Sequence, residues 1–400
     1  MKFLFDDESF SFEALRAAGY ASRGGADLGE VLATCARIPD GDEEGWCREW
    51  GALAARIHQA GLASLAAGRR VSARDALLRA SNYYRTADFY RRADPDNDTE
   101  SARLARLSRE TFAAAAELLE PPARRAEIPY EGTTLPGYLF RADASGAPRP
   151  TVVYHGGFDA TLEESYFAVA RGALERGYTV LAFDGPGQAT TRRLQGLVFR
   201  PDWEKVIAPV IDYAESLPEV DERRIVLIGT SFGGHLAARA AAFEHRIAAL
   251  VLNDGLFDWG GAVLHSLPPA VSGLLAAGRD AELEAILAQA AAHSTYLRWS
   301  VGNARWTFGG TSPTQVLGKL RAYTMDGVAG HITCPTLVLD PENDMFRGEA
   351  RRLFDVLRCP KELITFSAAE GAGEHCQEGA VLVFEQRVFG RLDVLLGPAR

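Results

Sequence analysis

The chain has 400 residues, 47% hydrophobic and 24% charged, with a formal net charge of −10. That length suits one large domain with an appendage, or two domains, and the acidic balance excludes a nucleic-acid partner and offers no basic face to anionic lipid. No apolar run reaches the roughly 18 residues that a membrane span needs.

Met1-Lys2-Phe3-Leu4-Phe5 opens like a secretion signal, but Asp6-Asp7-Glu8 ends it at once, so a cytoplasmic protein is expected. Residues 1 to about 125 read as an all-helical N-terminal domain. Apolar stripes at helical spacing run over Glu43 to Leu65, Ala73 to Tyr90 and Glu100 to Leu119. Pro121-Pro122 stops the last helix, and Ala123-Arg124-Arg125 reads as a linker. From 126 onward strands and helices alternate. A hairpin through Gly132 joins Glu127 to Pro129 with Leu135 to Phe140. Strands follow at 151–154, 179–183, 224–228 and 247–252, with helices at 168–175, 206–216 and from 234 onward. Such alternation builds a mostly parallel sheet between helical layers, a three-layer α/β sandwich. It pauses over about 255–331, which reads as a helical cap insert, and resumes with a strand at 336–339, a helix at 348–357, a strand at 363–366 and a helix from Glu378 to Leu395. Cys35, Cys47, Cys334, Cys359 and Cys376 are scattered and odd in number, as for reduced cytosolic thiols.

The informative pentapeptide is Gly229-Thr230-Ser231-Phe232-Gly233, between the apolar run Ile225-Val226-Leu227-Ile228 and an alanine-rich helix. Strand, sharp turn and helix in that order make a nucleophile elbow, with small residues at 229 and 233 letting strand and helix pass closely. A serine hydroxyl needs a base and a group that orients the base. His375, in the Gly-rich loop Glu370 to Gln377 after the last strand, is the candidate base, while His235 follows the elbow too closely to reach back. Asp344, in Pro341-Glu342-Asn343-Asp344, is the preferred acid over Asp340, and Asp254, after the strand at 247–252, is its competitor. Oxyanion donors are assigned to the N–H groups of Phe232 and of Gly157 in His155-Gly156-Gly157-Phe158-Asp159, with Phe158 close behind. Asp184-Gly185-Pro186-Gly187-Gln188 half resembles a dinucleotide loop, but it lacks the third glycine and a helical continuation, so it reads as a turn. No nucleotide loop or metal-ligand spacing is present, and no cofactor or metal is inferred. Tyr83, Tyr84, Tyr90, Phe158, Phe257, Trp259, Trp299 and Trp306 are candidate pocket aromatics, with Asp254 as a polar companion.

Taken together, these residues resemble the α/β-hydrolase superfamily over about 126–400. The set His155 to Asp159 with Glu163-Glu164, Phe183 to Gln188, and Glu374-His375-Cys376-Gln377 resembles a narrower subgroup with a helical N-terminal domain. That subgroup includes 2,6-dihydroxypseudooxynicotine hydrolase, fungal polyketide-shortening hydrolases and fermentation-respiration-switch-type esterases. The resemblance implies a helical extension over the active site, a homodimer, and Ser231, Asp344 and His375 as nucleophile, acid and base. It implies a small-molecule substrate cleaved at an ester, or at a C–C bond next to a ketone, where Asp254 or Asp258 would be the additional carboxylate. Relatives often carry Gly where Ala189 stands. An acyltransferase or cyclase using the same acyl-serine, and a non-catalytic binding protein on this scaffold, are the competing classes.

Overall fold

The computed structural model describes residues 1–267 and 269–399. Eight strands form one sheet: β1 (Arg124–Tyr130), β2 (Thr133–Phe140), β3 (Arg149–His155), β4 (Thr179–Phe183), β5 (Val220–Thr230), β6 (Ala249–Asn253), β7 (Thr336–Pro341) and β8 (Lys361–Phe366). Their spatial order is β1-β2-β4-β3-β5-β6-β7-β8. Strand β2 is antiparallel to both neighbours, and β3 to β8 run parallel. The chain moves outward from β3 to β4, then back past β3 to β5. That reversal opens a crevice at the carboxyl ends of β3 and β5, where α/β sheets hold their ligands.

Strand β5 shows why the sheet is buried on both faces. Ile225 and Leu227 join one core, with the helices Glu204–Glu215 and Phe232–Ala241 and the insert, while Val226 and Ile228 join the other. A run apolar at every position, here Ile225 to Ile228, is satisfied only between two helical layers. The second core contains Val388 and Phe389 of the helix Val381–Leu396, and it also takes in Leu77, Leu78 and Phe112 from the N-terminal helices.

Those N-terminal helices are Glu8–Gly19, Leu28–Cys35, Glu43–Ala66, Arg70–Asp88 and Thr99–Ala116. Asp7, Asp27, Asp42 and Asp98 each accept a backbone N–H at a helix start, which fixes where four of them begin. Their own core, centred on Trp46, Trp50 and Tyr83, also includes Trp299 from the insert. Arg23 donates from Nε to Glu385 Oε1 at 2.7 Å, which pins the start of the chain to its last helix.

Two expectations need correction. Arg124 and Arg125 are not linker but the start of β1, because Ala126, Ile128 and Tyr130 alternate into the core and carry the whole segment into the sheet. The residues after Asp184–Gln188 are helical, over Ala189–Gln195. That helix lacks an apolar stripe, and it starts where Asp184 Oδ2 accepts the N–H of Thr190. The insert is helical as expected, with Trp259–Ser266, Pro269–Ala276, Asp280–Ala292, Thr295–Phe308 and Pro313–Leu320. Pro268 within it lies outside the described residues. Among the described residues no helix is long and apolar enough to cross a membrane.

Candidate active site

Sheet register brings the site together. His155 pairs with Gly229, and Thr230 with Asn253, so β3, β5 and β6 end at one level. Ser231 follows β5 directly with φ 62° and ψ −131°, and Asp254 follows β6 with φ 43°. Both sit in backbone regions that side-chain-bearing residues rarely adopt. The Ser231 turn is held by its N–H, which donates to the Asn253 carbonyl at 2.5 Å. A Cβ on Gly229 would lie 2.0 Å from the Gly233 carbonyl oxygen, and one on Gly233 would lie 2.4 Å from that of Gly156. The elbow therefore closes only with glycine at both positions.

His375 enters from the loop after β8. Its Nε2 lies 2.9 Å from Ser231 Oγ. Its Nδ1 lies 2.6 Å from Asp344 Oδ2 and 2.7 Å from Asp254 Oδ2. The two acids that the sequence set against each other thus face the same nitrogen. Asp344 sits in the turn after β7, where its N–H donates to the Pro341 carbonyl and its Oδ1 accepts the N–H of Phe346. Two carboxyl groups compete for the one imidazole N–H, which favours a proton on one of them. Burial and the charge of Asp344 push the Asp254 pKa up. Asp344 is itself buried, but His375 and the Asp254 hydroxyl keep it below the usual carboxylate range. Asp254, 1% exposed, therefore binds a proton more tightly than Asp344 does. Cys376 adds a thiol that donates to Asp254 Oδ2 at 3.2 Å. Asp254, His375 and Cys376 offer donor atoms within 4.8 Å of one another, a set whose chemistry suits a metal ion, but here they are engaged in hydrogen bonds with each other and with Asp344.

The loop after β3 lies against the elbow. A Cβ on Gly157 would stand 2.8 Å from the Phe232 nitrogen, so the backbone of 157 rests on the residue after the serine. The Gly156 carbonyl accepts from His155 Nδ1 at 3.0 Å and from Gln188 Nε2 at 2.5 Å. Trp203 Nε1 donates to His155 Nε2 at 3.3 Å, which leaves the His155 proton on Nδ1. Burial takes the His155 pKa down to about 4, so the ring is neutral. The Asp184–Gln188 turn, no phosphate cradle, is thus a brace for the loop over the elbow.

Ser231 and His375 open onto a cavity of about 840 Å³, a size suited to a small organic molecule. Of the aromatics expected there, Phe158, Trp259 and Trp299 line it. Three do not. Phe257 is buried beneath the Arg352 guanidinium, 4.3 Å from its ring centre. Trp306 faces a separate cavity of about 40 Å³, with its Nε1 on Asp96 and Arg193 over its ring. Tyr84 sits in the N-terminal core, its hydroxyl 3.4 Å from His58 Nδ1. Tyr83 and Tyr90 belong to that core as well, bonded to Glu30 and Ser9. Asp254 is not a wall residue but a partner of His375. Asp258 caps the first insert helix by accepting the N–H of Gly261. His235 packs flat against Phe232 and bonds to the Leu256 carbonyl.

Sequence reasoning missed Phe12, Phe346 and Tyr296, which also line the cavity. The rings of Phe12 and Phe346 lie 6.3 and 6.0 Å from the His375 imidazole. Phe12 shows only as an apolar position on the first helix, 363 residues before the histidine it covers, and nothing local marks that pairing.

A sheet of this order, with a serine elbow beneath a histidine loop, defines an α/β hydrolase, and the comparisons agree. The alpha/beta hydrolase family model matches residues 151–385, and the esterase FrsA-like model matches residues 30–266. The chain belongs to the α/β-hydrolase family and to the FrsA-like esterase family. It is 35% identical to Hydrolase LUC6 of Fusarium sp, covering 99% of each chain. It is 33% identical to 20-hydroxy-prefusarin hydrolase FUS2 of Gibberella moniliformis, covering 98% of this chain and 97% of that one. The crystal structure of 2,6-dihydroxy-pseudo-oxynicotine hydrolase superposes with a TM-score of 0.76 at 22% identity, covering 96% of this chain and 97% of the other, a likeness of fold. The protein is thus an enzyme with hydrolytic activity.

Proposed function

We propose that this enzyme is a cofactor-independent serine hydrolase in which Ser231 attacks a substrate carbonyl. His375 Nε2 takes the serine proton as the Oγ–C bond forms. Asp344 holds the resulting imidazolium, with Asp254 on the same ring nitrogen. The oxyanion rests on the N–H groups of Phe232 and Gly157, each worth about 3 kcal/mol to the transition state. His375 then gives its proton to the leaving group. Water, deprotonated by the same nitrogen, attacks the acyl carbon and frees Ser231. The observation that carries this reading is the unbroken contact line from Ser231 Oγ to His375 at 2.9 Å and on to Asp344 at 2.6 Å. Ser231→Ala is expected to lower kcat by about 10⁴-fold or more with the thermal transition unchanged. Full activity in that variant ends the proposal.

A second reading concerns the bond. Cleavage next to a ketone releases a carbon leaving group, which needs a firmly held proton donor. Two carboxyl groups on one imidazole nitrogen support that role for His375. The relative named for a prefusarin substrate, and the aromatic walls Phe158, Trp259 and Trp299, support a flat, polyketide-derived substrate. Product analysis with a β-diketone and a matched aryl ester separates C–C from C–O cleavage. A product without added water would instead mark acyl transfer to a substrate hydroxyl. We include a cytoplasmic homodimer in this reading, for which light scattering of the purified protein is the test of assembly.

A further inference from the structure

A buried charge cluster links the N-terminal helices to both loops of the candidate site. Arg16, on the helix Glu8–Gly19, places Nη1 2.8 Å from Asp159 Oδ2 and Nη2 3.0 Å from Glu164 Oε1, with Nε 3.8 Å from Glu378 Oε1. Asp159 ends the loop that carries Gly157. Glu164 closes the far side of that loop, accepting the Thr161 N–H in a capping box. Glu378 lies three residues past His375. Arg85, from the helix Arg70–Asp88, bonds to Glu13 at 2.8 Å and to Glu164 at 3.1 Å. Two guanidiniums therefore face four carboxyl groups, Glu13, Asp159, Glu164 and Glu378, with the Tyr20 hydroxyl donating to Glu164 at 3.3 Å.

Three of these carboxyls come from the two loops that must meet over Ser231, and among the described residues only the guanidinium of Arg16 reaches all three. We propose that Arg16 is a positioning residue, holding the Gly157 loop and the His375 loop at their working separation, so that the N-terminal helix is part of the catalytic geometry and not only a cover. This rests on reading Ser231 as the nucleophile.

The charge balance gives a signature that loss of folding does not. Burial, with Glu164 and Glu13 nearby, takes the Glu378 pKa up to about 7 despite Arg16. Asp159 is also buried, yet Arg16, Arg85 and His375 hold it below its ordinary value. Without Arg16 both carboxyls bind protons more tightly. At low pH they pack as neutral acids. As pH rises they ionise, face Glu13 and Glu164 across a dry gap, and push the loops apart, with only Arg85 and His375 left to oppose them.

The test is kcat per active site, counted by labelling with an active-serine phosphonate, for wild type, Arg16→Met and Arg16→Lys between pH 6 and 9. Arg16→Met is expected to lose about 10²-fold in kcat, the loss from a displacement of about 1 Å, with less effect on KM. Its activity relative to wild type should fall further as pH rises. Arg16→Lys keeps the charge but not the fork, and should recover part of the loss with little pH trend. Unchanged kcat per labelled site, or a constant ratio across pH, overturns the assignment of Arg16 while leaving the serine mechanism intact. Failure of the wild-type serine to label overturns both. If Arg16→Met does not fold, Asp159→Asn made alone and with Arg16→Lys decides the matter. Non-additive losses in kcat support the link, and additive losses overturn it.

Discussion

In the proposed mechanism, His375 carries the pH behaviour of the enzyme. Burial opposes its protonation, but Asp344 and Asp254 together raise its pKa well above the ordinary 6.5. A base acts in its neutral form, so kcat/KM should climb with pH through a limb lying above 6.5. Asp254→Asn removes one source of that rise and should move the limb to lower pH. Asp344→Asn removes the charged partner, and should move it further while cutting kcat by about 10²-fold to 10⁴-fold. A pH-rate profile of the three proteins checks the order, and an unmoved limb in Asp254→Asn contradicts it. The sequence pointed to Ser231 through its flanking strand and helix, and to His375 and Asp344 through chain order, and the structure brings the three side chains together. It set Asp254 against Asp344 because a strand end says where a side chain begins and not which neighbour it meets. Aromatic character was equally silent on direction, and Phe257, Trp306 and Tyr84 turned away from the cavity for that reason.

Among the elements, the elbow is the least tolerant. Its strand, its helix and the loop above it meet backbone to backbone, and Gly233 touches two of the three. Gly233→Ala puts a methyl group 2.4 Å from the Gly156 oxygen, so it should cost about 1–3 kcal/mol of stability. Because Gly156 adjoins Gly157, kcat should fall as well. Urea unfolding and a steady-state assay measure the two effects, and a neutral outcome in both would mean that the loop can lift without consequence. The elbow and the parallel strands were legible because both are local patterns. The short helix Ala189–Gln195 and the first two residues of β1 were not, since the one starts from a cap six residues back and the other from pairing across a hairpin.

At the scale of the molecule, the N-terminal helices share packing with the hydrolase sheet and its insert. Phe112 packs with Tyr138 and Phe140 of β2. Trp299 of the insert stacks on Phe89 of the N-terminal region, with ring centres 4.6 Å apart. Calorimetry of the intact chain should therefore show one transition. Trp299→Ala should destabilise that single transition by about 3–5 kcal/mol, and two resolved transitions would refute the shared core. Helical periodicity shows that a face is apolar without showing what covers it, so this packing was not legible in the sequence.

The tie between Arg23 and Glu385 bears on how the enzyme is made. On the ribosome, Ser231 emerges long before residue 375, and the first helix cannot settle over the histidine loop until the last helix has left the exit tunnel. The nascent polypeptide therefore gains the clasp between Arg23 and Glu385 only late in translation.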